Sequence, residues 1–303
     1  MMAFWLRCRL AAEAVLLIAA GALLVRSGAS SPTAAVFAAV AMLLMLHSDV
    51  VVLSFAVSRL HAATGPEPAH GRPSLLCIAM IEWLAYQALF VFIQPFERLW
   101  MGHDTTGRRT PEHVPLLLIH GYLCNRGAWW WLRRKLQAAG FVVATIDLEP
   151  PLGDIDGFAD QVHARVEAMC AETGVGRVAL IGHSMGGLAA RAYLHRHGAR
   201  RVAKLVTLGS PHHGTWIARC GLGKDARQME PDSAWTRALP EVEAGVPTVT
   251  VWSPTDNFIA PPESSRLAGA REIVLPGLSH LAMLFSPAVL DTLTRELPST
   301  RDS

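Results

Sequence analysis

Ser184 stands at the centre of Gly182-His183-Ser184-Met185-Gly186, a Gly-x-Ser-x-Gly pattern. An apolar run at 177–181 precedes it and a helical pattern at 185–197 follows. A strand that turns this sharply into a helix strains its central residue and leaves no room for bulky neighbours, a need that Gly182 and Gly186 meet. The turn lifts the hydroxyl above the sheet and aims a helix N-terminus at the reaction centre. The plain alternative is a glycine-rich connection with an incidental serine. The strand and helix patterns on either side speak against it.

A serine hydroxyl becomes a nucleophile when a base removes its proton. On a strand-turn-helix of this kind the acid follows the serine along the chain and the histidine comes last. After the strand expected at 204–208 stand His212, His213 and His280, and only His280 comes late enough to follow an acid placed on a later strand. Asp256 lies just past the apolar run 246–252, at a strand C-terminus, where open parallel sheets build their sites. Asp225 and Asp232 are rival acids, but no strand precedes them. Ser184 thus reads as nucleophile, His280 as base, and Asp256 as the acid that orients His280. Charge developing on the acyl oxygen needs prearranged amide donors, worth about 2.7–4 kcal/mol each. One is the amide of Met185. The other belongs to the loop Ile119-His120-Gly121-Tyr122-Leu123, with Tyr122 preferred and Leu123 second. His120 reads as a buttress of that loop rather than a second base.

The elements that must position these groups alternate along the second half of the chain. Short apolar runs at 114–119, 141–146, 177–181, 204–208, 246–252 and 271–275 read as buried strands. Helical patterns at 129–139, 158–172, 185–197 and 287–297 lie among them. Continuous apolar strands alternating with helices imply an α/β fold, with about six mostly parallel strands covered on both faces. Residues 98–112 are expected to be a linker, and 113–303 the catalytic domain.

The first 97 residues have another character. The chain is 51% hydrophobic and only 17% charged, below the quarter or so usual for a soluble protein. The excess sits in three apolar runs, expected as transmembrane helices at 4–25, 33–57 and 75–96. A cleaved signal peptide is the rival reading of the first run, and Arg26 beside the would-be cleavage site counts against it. A soluble helical bundle would carry a polar stripe, which the runs lack. Arg7, Arg9, Arg59 and Arg72 fall on one side of three crossings, and Arg26, Arg98, Arg108 and Arg109 on the other, so the positive-inside rule returns a tie. His47 and Asp49 within the second run admit a proton relay, or more simply a span whose end reaches the interface. The expected location is an integral membrane protein of a bacterial inner membrane. The five scattered cysteines suggest neither a disulfide framework nor a zinc site and lean toward a reducing compartment. A net charge of +2 offers no nucleic-acid surface.

His120-Gly121 after a strand, the pentapeptide around Ser184, and Thr207-Leu208-Gly209-Ser210-Pro211-His212-His213-Gly214-Thr215 together resemble the α/β-hydrolase lipases and esterases, nearest to small bacterial triacylglycerol lipases. The resemblance spans roughly residues 113–296. It implies a minimal α/β-hydrolase fold and cleavage of carboxylic esters through an acyl-enzyme, with no metal or organic cofactor. An acyltransferase or thioesterase would use the same three residues. A permease or assembly component with a degenerate hydrolase domain is the non-enzymatic rival. The membrane helices point to the bilayer as partner and to a lipidic acyl ester as substrate. Residues 216–239 read as a short lid or a surface connection. Trp129-Trp130-Trp131 with Arg133-Arg134-Lys135 reads as a membrane-facing mouth, or as a helix with a buried aromatic face and a solvated basic one.

Overall fold

A computed structural model describes residues 1–61, 74–104, 113–241 and 245–297. Arg72, Arg108 and Arg109, and most of the expected linker, lie outside these residues.

The apolar N-terminal third forms α1 (Met2–Arg26), α2 (Pro32–Met45), α3 (Ser48–His61) and α4 (Leu75–Gln87). α4 continues through a π-helical turn, Ala88–Ile93, and a 3-10 turn, Gln94–Phe96, into α5 (Glu97–Met101). Three helical stretches here are long and apolar enough to cross a membrane: Met2–Arg26, Pro32–His61 and Leu75–Met101. The second run is not one continuous helix. It breaks at Leu46–His47, and Asp49, in the first turn of α3, accepts the Val50 N–H on Oδ1 at 2.8 Å. His47 is drawn instead toward Glu13 of α1, with Nε2 3.3 Å from Oε1.

The second half is a six-stranded, wholly parallel sheet in the order β2-β1-β3-β4-β5-β6. Its strands are β1 (Leu116–Ile119), β2 (Val143–Ile146), β3 (Val178–His183), β4 (Val202–Leu208), β5 (Thr248–Trp252) and β6 (Arg271–Val274). The helices are α6 (Trp130–Ala138), α7 (Ile155–Thr173), α8 (Met185–His197), the short α9 (Gly223–Gln228) and α10 (Ala234–Ala238), and α11 (Pro287–Glu296). Strand side chains alternate between faces, so the two halves of β1 serve different cores. Leu117 and Ile119 pack with Phe158 and Val162 of α7 and Leu188 of α8. Leu116 and Leu118 pack with Leu132 of α6, Val289 and Leu293 of α11, and with Ala85 and Leu89 of the α4 segment. The last apolar run therefore supplies part of the core of the α/β domain itself.

The register aligns the strand C-termini. Ile119 pairs with Gly182, His183 with Leu208, and Leu208 with Val251. Residues just past these ends meet above one edge of the sheet.

Candidate active site

Ser184 follows β3 directly and precedes the first residue of α8, with φ 55° and ψ −128°. That conformation is costly for a non-glycine residue and persists only where the surroundings enforce it. The enforcement is visible at the glycines. A Cβ on Gly182 would lie 2.4 Å from the Gly187 nitrogen, and one on Gly186 would lie 2.1 Å from the Ile119 carbonyl oxygen. Gly121 abuts the serine itself, since its Cβ would sit 2.8 Å from that of Ser184. Gly186→Ala is expected to destabilise the protein by about 3 kcal/mol or more, because both partners in the clash are backbone and cannot swing aside. Thermal unfolding in detergent measures this, and an unchanged midpoint would contradict the packing argument.

His280 Nδ1 lies 2.9 Å from Asp256 Oδ2. The other Asp256 oxygen accepts the amides of Phe258 at 2.9 Å and Ile259 at 3.0 Å, so the carboxylate is fixed in rotation. Asp256 thereby holds the Nδ1–H tautomer and leaves Nε2 to the cavity. Burial alone would push the His280 pKa down, but the charge and hydrogen bond of Asp256, followed by the charge of Glu82, outweigh it and raise the pKa. His183 lies beside the pair, its ring tilted 44° to that of His280 with centroids 4.5 Å apart and its Nε2 3.2 Å from the His280 carbonyl. Burial and the neighbouring His280 hold His183 well below its ordinary pKa, so it is neutral. Gly209 makes room for the pair: a Cβ there would meet Asp256 Oδ2 at 2.8 Å, and its φ is +51°.

His120 is a buttress. Its Nδ1 donates to the Gly121 carbonyl at 2.9 Å and its Nε2 accepts the Leu148 amide at 3.0 Å, so both nitrogens are committed. Burial lowers its pKa and keeps it neutral. The loop it supports carries Tyr122, whose hydroxyl both donates to the Leu222 carbonyl and accepts the Leu222 amide, each at 2.8 Å. Among the described residues, neither the Tyr122 nor the Met185 amide has an intramolecular acceptor. The rival acid Asp225 is turned into its own helix, accepting the Ala226 amide at 2.8 Å, and burial pushes its pKa up to about 6.

Ser184, His280, Gly121 and Tyr122 open on one cavity of about 640 Å³. Ile217, Ala218 and Met229, from the segment weighed as a lid, form one wall of it. The opposite wall comes from the N-terminal helices: Trp5, Leu6 and Arg9 of α1, Leu53 and Ser54 of α3, and Tyr86 and Phe90 of the α4 segment. The tryptophan run takes no part in the cavity. Trp129 is fully buried, and Arg133 is buried rather than solvated, donating to the Met101 carbonyl at 2.6 Å and pairing with Asp104 at 3.1 Å.

Several residues that sequence reasoning gave no role hold the site from the N-terminal side. Glu82 of α4 is wholly buried and accepts the Leu281 amide at 3.0 Å and the Ala282 amide at 3.2 Å, the first two residues of the turn that follows His280. Ser58 donates to the Asp256 carbonyl at 3.0 Å. Asn257 donates to Ser54 at 2.7 Å and accepts the His280 amide at 3.1 Å. The available signal was Glu82 as the only charge in its apolar run, because a carboxylate so placed demands partners.

Residues 114–250 match the profile of the alpha/beta hydrolase fold family, and the sheet, the turn at Ser184 and the strand-end loops have that fold. The chain is 34% identical over 112 residues to triacylglycerol lipases of Pseudarthrobacter phenanthrenivorans and Burkholderia plantarii. The match covers 34% of this chain and 35% and 31% of those relatives, so the chain spans about a third of their length. Among solved structures, the mature Bacillus licheniformis lipase BlEst2 superposes with a TM-score of 0.55 at 16% identity, covering 64% of this chain and 94% of that one. Aspergillus fumigatus lipase B gives 0.54 at 18%, covering 65% and 56%. At those identities the likeness establishes the fold alone.

Proposed function

We propose that this protein is a membrane-anchored serine hydrolase that cleaves lipidic carboxylic esters through an acyl-enzyme. The observation that carries the reading is the hydrogen-bonded Asp256–His280 pair and the strained Ser184 sharing one largely apolar cavity. Ser184 Oγ attacks the ester carbonyl while His280 Nε2 takes its proton, and Asp256 stabilises the imidazolium. The amides of Met185 and Tyr122 receive the oxyanion. His280 returns the proton to the leaving alcohol, and water deacylates Ser184 with the same groups in reverse. Gly182, Gly186 and Gly121 allow the strained turn, while His120 and His183 hold the neighbouring loops as neutral rings. Glu82 positions the turn after His280. The names of the curated relatives, triacylglycerol lipases, support an acyl ester as substrate.

The cavity sets the acyl preference. Each buried methylene is worth about 0.8 kcal/mol, roughly fourfold in kcat/KM. Octanoyl esters of p-nitrophenol are expected to exceed acetyl esters by at least about a hundredfold in kcat/KM, part of the gain that six methylenes allow. Leu53→Trp, which fills the α3 side of the cavity, should lower that ratio by about tenfold or more. A preference for acetyl esters in the wild type would sink the lipidic reading, while activity on neither series would sink the esterase reading.

A further inference from the structure

Both ends of the N-terminal region are docked on the hydrolase domain. At the start of α1, the Met1 ammonium pairs with Glu149 at 2.6 Å and Trp5 lines the catalytic cavity, while Met2 and Leu6 are buried and Arg7 donates to the Pro95 carbonyl of the α4 segment at 3.0 Å. At the other end, Gln94 accepts the Asn125 amide at 2.7 Å and Glu97 pairs with Arg126 at 2.8 Å. Three full crossings would put these two ends on opposite sides of a bilayer. The number of crossings is therefore even.

Burial identifies which stretch stays on the domain. α4 and its continuation keep returning to the hydrolase body through Glu82, Leu89, Ile93, Gln94, Glu97 and Met101. These contacts run over about 28 Å at ~1.5 Å per residue, leaving no length for a crossing. Its outer face remains apolar, with Leu76 75% and Leu99 82% exposed. That is the pattern of a helix lying along the interface with one face in the acyl region. α3 is docked as well, through Ser54 and Ser58. What projects is the pair α1 and α2, with Leu16, Ile18, Leu23, Val36 and Phe37 all exposed. From Arg7 to Arg26 α1 runs about 29 Å, close to the ~30 Å of a hydrocarbon core, and α2, Pro32–Met45, returns over about 20 Å before the break at Leu46–His47 leads into the docked α3.

We propose that α1 and α2 form a two-crossing hairpin, that α4 lies in the interface, and that the active site faces the cytoplasmic leaflet, from which the cavity takes its acyl ester. The substrate part of this inference rests on the hydrolase reading above; the topology part does not. Even parity breaks the arginine tie. Among the described residues, Arg7, Arg9, Arg59 and Arg98 now fall on the hydrolase side and Arg26 alone at the hairpin tip, so the positive-inside rule places the hydrolase in the cytoplasm. All five cysteines are free, as a reducing compartment allows. Trp5 and Phe90 line the cavity wall where α1 leaves the domain, so a lipid chain passes from leaflet to serine without crossing water.

The full-length protein carrying Ala29→Cys, produced in a bacterial host, tests the topology with a membrane-impermeant maleimide. With the other exposed thiols, Cys8 and Cys77, replaced by serine, native Cys220, which is exposed on the hydrolase domain, reports the other side. In intact cells the introduced tip thiol should be labelled, relative to the unsubstituted protein, and Cys220 should react only after permeabilisation. Labelling of Cys220 in intact cells overturns the cytoplasmic placement. If the tip thiol and Cys220 both react only after permeabilisation, the hairpin dips without crossing, and the two-crossing proposal fails. Neither readout needs catalysis, so an inactive but correctly labelled protein sinks only the hydrolase reading.

Discussion

Ser184→Ala is expected to abolish fluorophosphonate labelling and to lower kcat on p-nitrophenyl octanoate by about 10⁵–10⁶-fold, the scale at which serine hydrolases lose turnover without their nucleophile. The expectation follows from the backbone at Ser184. A non-glycine residue at φ 55° and ψ −128° is retained at a cost, and what the strain provides is a serine that opens with His280 on the same cavity. His280→Ala should cost about as much, and the double variant little more than either single one, because nucleophile and base act as a unit. Asp256→Asn should cost about 10⁴-fold, since an amide at Oδ2 would favour the wrong imidazole tautomer. Turnover that survives Ser184→Ala within tenfold would place the chemistry elsewhere, and retained labelling would point to a different serine.

The parts of this site that are local in the chain were legible before any fold was known. The glycines around Ser184 are demanded by contacts within a few residues or across adjacent strands. The order serine, acid, histidine follows from where parallel strands end. α8 begins and ends where its pattern does, at Met185 and His197. Edges were less legible: α7 starts at Ile155, three residues before the pattern at 158, because Asp154 accepts the Asp156 amide and caps it. The destination of the third apolar run was not legible at all. Hydropathy scores an exposed leucine and one that faces a protein core alike, and the α4 segment has both, with Leu89 buried and Leu99 exposed. Its contacts to the α/β domain bridge as many as 200 residues of sequence, as from Glu82 to Ala282, so no local pattern encodes them. The tryptophan run left two readings open for the same reason, and the structure takes the buried one: Trp129 lies edge-on to His183 in the core at 6.4 Å.

Glu82 separates a lipid anchor from a helix that takes part in the site. Glu82→Ala would strip acceptors from the Leu281 and Ala282 amides, and a buried donor left unpaired costs about 1–3 kcal/mol. The turn they begin carries His280, so kcat/KM is expected to fall by about a hundredfold. Glu82→Gln retains a carbonyl oxygen for these amides and removes the negative charge, which isolates the electrostatic part. The titratable groups facing the imidazole are then Asp256 and the neutral His183. His280 works as a base only when neutral, so activity is lost as pH falls through its pKa. Glu82, where ionised, is one of the charges that raise this pKa, after Asp256, although burial raises the pKa of Glu82 itself and opposes its ionisation. Removing the charge lowers the His280 pKa, and the acid limb of kcat/KM should move to lower pH in Glu82→Gln. Rates of fluorophosphonate labelling against pH give the same limb without an ester substrate. A limb that stays in place while turnover falls would reduce Glu82 to a structural acceptor. A limb that moves while labelling at high pH stays near wild type would show the third apolar helix setting the protonation of the base.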